Sequence, residues 1–285
     1  LWLRDASTWS AVPAVQAAIA NRLGWLASPA LMADAIGRIT DFADGVQRDG
    51  FTDVVLLGMG GSSLAPEVLR AVLGTKPGRP RLHVLDSTDP GAVLDASTPP
   101  AHTLYVLSSK SGSTIEPNAL AAHFSRRLQD AGIARWGAHF VAITDAGTPL
   151  AARARAERFR DVFINPSDIG GRFSAISFFG IVPAALMGQD VDAIVRWGLA
   201  MLEEAQTPGD PLINPAVGLG LLMGAGALHG RDKLTLIVPP ALEPFGLWVE
   251  QLVGESTGKN GVGVIPIAGE PLGAADVYGR DRVFA

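Results

Sequence analysis

Two turns rich in glycine and hydroxyl side chains carry the residue types best suited to hold an anion. The first is Gly58-Met59-Gly60-Gly61-Ser62-Ser63, and the second is Ser108-Ser109-Lys110-Ser111-Gly112-Ser113-Thr114-Ile115-Glu116. Glycine lets the backbone approach a ligand closely, and amides exposed at the start of a following helix favour phosphate. The first turn departs from a dinucleotide fingerprint in having Ser63 where a third glycine belongs. Asp86 ends the next apolar run, farther on than the ~20 residues usual for a ribose-binding acid. Taken alone, this turn reads equally as a ligand cradle or as a tight strand–helix connection. The second turn says more. One hydroxyl suffices to cap a helix, and the others, with Lys110, exceed that need. Short hydroxyl donors, backbone amides and a helix dipole together suit a phosphate monoester. Two such loops, the second without Walker spacing, favour a small phosphorylated ligand over a nucleotide.

Two further segments offer charged groups. Arg172 follows Gly170-Gly171 and precedes Phe173-Ser174 and an apolar run. It is either a surface solvator or a guanidinium aimed into a cleft, where neighbouring helix amides would add positive potential. In the helix expected over Pro244–Ser256, Gln251 and Glu255 are spaced i and i+4 and share a face. Glu255 lies near the helix C-terminus among apolar residues. Both conditions disfavour its charge and suit a general base, although a surface carboxylate before Gly258 fits the same spacing.

The elements that must position these groups are legible from the pattern. Near-continuously apolar runs at Asp53–Leu57, Arg81–Leu85, Thr103–Leu107, Phe140–Ile143 and Val162–Ile164 read as strands of a parallel sheet covered on both faces. Helix-like segments at Pro66–Leu73, Pro117–Ala131 and Thr148–Arg158 alternate with them, which defines a doubly wound α/β domain. Residues 1–50 read as a helical lead-in with a second helix over Ala30–Arg48, and 51–168 as the first subdomain. A turn cluster, Asn165-Pro166-Ser167-Asp168-Ile169-Gly170-Gly171, marks the boundary. The region 169–285 then reads as helices around 173–188, 190–205 and 213–229, a strand Leu234–Val238, the 244–256 helix, and strands at Gly263–Ile267 and Asp281–Ala285. A second sheet of so few strands is expected to be incomplete at its C-terminal end.

Composition narrows the function. Of 285 residues, 23 are Lys or Arg and 28 Asp or Glu, a net charge of -5 that offers no general pull on nucleic acid or anionic lipid. No Cys is present, which excludes thiolate catalysis and Cys-ligated zinc and fits a reducing, cytoplasmic setting. The five His are scattered without paired spacing, so no metal site is expected. The most apolar stretches, Phe173–Gly188 and Leu212–Leu228, fall short of the ~20 residues of a membrane span. They read instead as buried helices, with Gly220 and Gly224 spaced to let two helices approach closely.

Taken in order, Gly58-Met59-Gly60-Gly61-Ser62, Ser109-Lys110-Ser111-Gly112-Ser113-Thr114-Ile115-Glu116, Gly171-Arg172-Phe173-Ser174, and Gln251 with Glu255-Ser256-Thr257-Gly258-Lys259 resemble the sugar-isomerase-domain (SIS) family and, within it, the phosphoglucose isomerase family. The style is similar to the isomerase half of bifunctional transaldolase–isomerase fusions. The resemblance implies two doubly wound parallel-sheet subdomains with the site between them, usually in a homodimer. It implies that Ser109, Lys110, Ser111 and Thr114 hold a sugar 6-phosphate, and that Gly60, Gly61, Ser62, Gly171 and Gln251 line the sugar. Glu255 would shuttle a proton between C1 and C2 through a cis-enediol, and Arg172 would stabilise the enediolate, with no metal or nucleotide cofactor. The family also uses a His beyond the Glu motif, often from a partner subunit, and a Lys near the C-terminus, both for ring opening. No His follows Glu255 in this sequence, so open-chain sugar is the substrate form expected to react. Three function classes follow: an aldose–ketose isomerase for this or another phosphosugar, a non-catalytic sugar-phosphate sensor, and a dinucleotide-dependent oxidoreductase. A sensor needs neither Glu255 nor Arg172, and an oxidoreductase needs no second hydroxyl loop.

Overall fold

The structure, a computed structural model, describes residues 1–207 and 213–285, and the first residue of the apolar stretch expected from Leu212 lies outside them. By packing, the chain forms two compact units, Leu1–Gly198 and Leu199–Ala285. The first holds five strands: β1 (Asp53–Leu57), β2 (Arg81–Leu85), β3 (Thr103–Ser108), β4 (Phe140–Asp145) and β5 (Asp161–Asn165). They pair in the order β2-β1-β3-β4-β5, all parallel. Strands buried on both faces need apolar side chains in both directions, and β1, β3 and β4 are buried at every position.

Helices cover the two faces. They are α1 (Pro13–Ala20), α2 (Ser28–Arg48), α3 (Leu64–Leu73), α4 (Pro90–Asp95), α5 (Ile115–Asp130), α6 (Pro149–Ala156) and α7 (Phe178–Leu186). One face is a cluster of Val55, Leu57, Tyr105 and Leu107 from the sheet with Leu120, Phe124, Leu128 and Leu150 from α5 and α6. On α7 every residue is buried, and it packs against α2 and α3. The first unit therefore extends past the turn cluster at 165–171 to Gly198, within α8 (Val191–Gln206). The helix expected to start at 173 starts at 178 instead: Gly171–Phe173 is a 3-10 turn, and Ser177 Oγ caps α7 by accepting from Phe179 N at 3.3 Å.

In that core Tyr105 stacks between Phe124 and Phe140, yet its hydroxyl is buried without a hydrogen-bond partner among the described residues. Burial pushes the phenol up to about 12. An unsatisfied buried hydroxyl costs free energy that a phenyl ring does not. Tyr105→Phe is therefore expected to raise stability by about 1 kcal/mol, read as a higher denaturant midpoint at unchanged slope; a loss of similar size would show that the hydroxyl is satisfied.

At the amino end of β1 Asp53, 1% exposed, accepts from Arg81 Nε (3.1 Å) and Thr52 Oγ1 (2.8 Å) and lies 2.9 Å from His83 Nε2. Burial opposes its charge, but the hydrogen bonds from His83 and Thr52 and the Arg81 charge outweigh it, so its carboxyl sits below the usual range. A carboxyl depressed on folding contributes stability above its unfolded value and loses it as pH falls through the folded one. Asp53→Asn is expected to cost roughly 2 kcal/mol near neutral pH and to shrink the loss of stability below the ordinary aspartate range. Unfolding midpoints across pH check both effects.

The second unit holds β6 (Lys233–Thr235), β7 (Ile265–Ile267) and β8 (Arg282–Phe284), parallel in the order β7-β6-β8. Its small core joins Leu234, Val264 and Val283, with Met223, Ala227, Leu236 and Val253 packed alongside. The helix α9 (Pro215–Leu228) corrects one expectation: it has no buried residue, and a Cβ at Gly220 or Gly224 would meet nothing within 4 Å. The close helix approach read from that spacing is not made at Gly220 or Gly224 among the described residues; α9 meets the sheet through Met223, Ala227 and Gly226. Among the described residues no helix is long and apolar enough to cross a membrane.

Candidate active site

In the order β2-β1-β3-β4-β5 the chain leaves β1 toward one edge and β3 toward the other. The crevice at the carboxyl ends of these two strands is the topological switch point, where open parallel sheets bind ligands. Both glycine- and hydroxyl-rich loops emerge there, Gly58–Ser63 after β1 and Ser109–Thr114 after β3.

The loops are fastened to each other. Ser108 Oγ donates to the Ser62 carbonyl at 2.9 Å, both residues buried. Gly60–Ser62 is a 3-10 turn whose Gly60 takes φ 53, a left-handed value that glycine adopts without strain. That turn lies against a second 3-10 turn, Gly171–Phe173, which carries Arg172. A Cβ built on Gly61 would fall 2.3 Å from the Gly171 carbonyl carbon and 2.8 Å from Arg172 N, so no side chain fits at Gly61. Ser174 Oγ latches the pair, lying 2.6 Å from the Gly171 carbonyl and 3.2 Å from that of Gly61. The structure thus brings Gly60, Gly61, Ser62, Gly171 and Arg172 together. Ser108 and Ser174, which hold them, carry no sequence signal beyond lying inside the motifs.

The hydroxyl loop is folded on itself. Ser109 Oγ accepts from Gly112 N at 3.1 Å and lies 3.2 Å from Thr114 Oγ1. Ser113 donates to Ser111 Oγ from both its amide and its hydroxyl, at 3.2 and 3.0 Å. Gly112 has φ 67, and a Cβ there would sit 2.9 Å from Leu150 N. The expectation that one hydroxyl caps the following helix is corrected: the N-cap residue of α5 is Thr114, and no described side chain caps that end. Asn118 holds the turn instead, donating to the carbonyls of Thr114 (2.7 Å) and Gly112 (3.2 Å). Lys110 places its ammonium on the carboxylate of Asp145 and on the Ser167 carbonyl at 2.7 Å.

In the second unit the single α-helix expected over 244–256 is instead α10 (Phe245–Val249), a π turn over Glu250–Gly254, and a last helical turn, Glu255–Thr257. A π turn takes an extra residue into the helix without altering its apolar pattern, so the sequence hides it; such turns recur at functional sites. Gln251 lies in the π turn, its Oε1 buried without a partner among the described residues, and Glu255, expected among apolar residues, is instead exposed at the start of the turn that follows. Thr257 Oγ1 fixes the exit, donating to Val253 O at 2.7 Å and accepting from Val264 N at 2.8 Å. Lys259 Nζ donates to the Glu255 carbonyl.

The first unit is an open parallel α/β sheet with glycine- and hydroxyl-rich loops at its switch point, and solved structures with an α/β fold match the chain. A hypothetical protein of Thermus thermophilus, TT0462, superposes with a TM-score of 0.75 at 30% identity, covering 93% of this chain and 62% of that one. A glucose-6-phosphate isomerase from Chlamydia trachomatis gives 0.66 at 26% identity, covering 93% and 50%. The phosphoglucose isomerase family profile matches residues 35–260, and the chain belongs to that family. A glucose-6-phosphate isomerase of a Cyanothece strain is 36% identical over 218 residues, 73% of this chain and 40% of the relative. The chain spans about half the length of the curated relatives it matches, from 40% to 58% among the first three.

Proposed function

We propose that the protein interconverts glucose 6-phosphate and fructose 6-phosphate through a cis-enediol. The observation that carries this reading is the start of α5: hydroxyls of Ser109, Ser111, Ser113 and Thr114 crowd a helix end that none of them caps. Unpaired amides and a helix dipole at a switch point are suited to a dianionic phosphate. On this reading the Ser109–Thr114 loop takes the 6-phosphate, with Lys110 in that loop, and Gly60, Gly61, Ser62 and Gly171 line the sugar. Gln251 Oε1, a buried acceptor, takes a sugar hydroxyl.

The Glu255 carboxylate removes the C2 proton of the open-chain aldose while O1 gains a proton, which gives the cis-enediol. Return of a proton to C1 with loss of one from O2 leaves the ketose. C1 is reduced as C2 is oxidised, so the electrons balance within the sugar. Arg172 offsets the negative charge of the enediolate. The same reading makes the protein a cytoplasmic homodimer, for which the family membership is the support. The motif style extends it to a transaldolase fusion, which the mass of the natural gene product tests. Titration with fructose 6-phosphate, ribose 5-phosphate and NAD separates the alternatives. Hexose phosphate is expected to bind most tightly and NAD not at all, and NAD binding alone would overturn the reading.

A further inference from the structure

The Lys110 ammonium does not turn toward the hydroxyls of its own loop. It is half-buried between the Asp145 carboxylate and the Ser167 carbonyl. The backbone ties the same two strand ends: Asp145 N donates to Lys110 O at 3.2 Å, and Thr144 Oγ1 lies 3.3 Å from that oxygen. Asp145 is 8% exposed, and its Oδ1 is buried without a partner among the described residues. Burial pushes its carboxyl up, and the hydrogen bond and charge of Lys110 pull it back. A buried carboxylate stripped of its cation costs more than an exposed ammonium gains from a solvated phosphate, so the pair resists opening.

The other end of the strut matters as much. Ser167 lies in the turn that runs into Gly170, Gly171 and Arg172. That turn is also clasped by the lead-in: Gly24 N donates to Asp168 O at 3.1 Å, and Trp25 stacks on Phe173 at 5.6 Å between ring centroids. A Cβ on Gly24 would fall 2.1 Å from the Asp168 carboxylate, so this clasp is close-fitting. The turn bearing Arg172 is therefore held both by the lead-in and by the Lys110 side chain.

We propose that Lys110 is a strut rather than a phosphate ligand, and that Asp145 is the positioning residue that holds it, coupling the hydroxyl loop to the Arg172 turn. This rests on the sugar-phosphate reading of the loop and replaces one role within it: phosphate is met by hydroxyls, amides and the α5 dipole, while the ammonium is neutralised within the protein. The two roles give opposite signs for one substitution. As a strut partner, Asp145→Asn loosens the loop and weakens binding. If Lys110 were a ligand, the same change would free its ammonium, remove a nearby negative charge and tighten binding.

The test is titration of wild type, Asp145→Asn, Lys110→Met and the double variant with fructose 6-phosphate and with inorganic phosphate. Each single change is expected to weaken binding about tenfold, with the double variant no worse than either, because both remove one contact. Tighter binding by Asp145→Asn, or additive losses, overturns the proposal. Hydrogen exchange of the 166–174 amides is the second readout. It is expected to speed up in both single variants, and unchanged exchange also overturns the strut. If wild type binds neither ligand, the sugar-phosphate reading fails while hydrogen exchange still decides the strut.

Discussion

Gly61→Ala is expected to lower kcat/KM for fructose 6-phosphate by about a hundredfold while leaving the chain folded. The added Cβ would fall 2.3 Å from the Gly171 carbonyl carbon, 2.5 Å from its oxygen and 2.8 Å from Arg172 N. These are backbone atoms, so no rotamer change relieves the contact. The two 3-10 turns must separate, and Arg172 moves with the one that carries it. A displacement of ~1 Å of a charge-stabilising group is enough for a loss of this order. Strain should also cost about 1–3 kcal/mol of stability. Gly224→Ala is the control. A Cβ there meets nothing within 4 Å on α9, so activity should hold and helix propensity should add up to ~1 kcal/mol. Steady-state kinetics beside thermal unfolding separate the two effects. A Gly61→Ala protein with wild-type kcat/KM would mean that the contact between the turns does not set the site.

Glu255→Gln carries the second large effect. The side chain is exposed at the start of a short helical turn, and the substitution keeps its size and hydrogen-bonding reach while removing the base. General-base contributions run to ~10²–10⁴-fold, so kcat is expected to fall by about three orders of magnitude with KM nearly unchanged. A rise in KM at constant kcat would make Glu255 a binding group only.

Much of this arrangement was legible in the residues. Strands buried on both faces must be apolar in every direction, which is why Asp53–Leu57 and Thr103–Leu107 stand out as runs with sharp ends. The hydroxyl excess over Ser109–Thr114 exceeds what a helix cap needs, and the structure sharpens the point by using none of it as a side-chain cap. Other features are set by tertiary contacts that spacing cannot encode. Lys110 reads as a free cation in a phosphate loop, yet its partner lies 35 positions away on Asp145. Helix α4 is only six residues long and leaves no periodicity to detect. The π turn at Glu250–Gly254 inserts a residue without altering the apolar pattern. The exposed α9 carries a continuous apolar sequence, and such composition alone does not distinguish a helix packed in a core from one that is not.

On the proposed reading Glu255 moves a proton on a phosphosugar. Proton NMR of fructose 6-phosphate in deuterated water, with wild type beside Glu255→Gln, tests it most directly. The expected result is glucose 6-phosphate carrying deuterium at C2 with wild type, and no detectable product with the variant over the same time. Deuterated product forming at the wild-type rate with Glu255→Gln would contradict the assignment of Glu255 as the base.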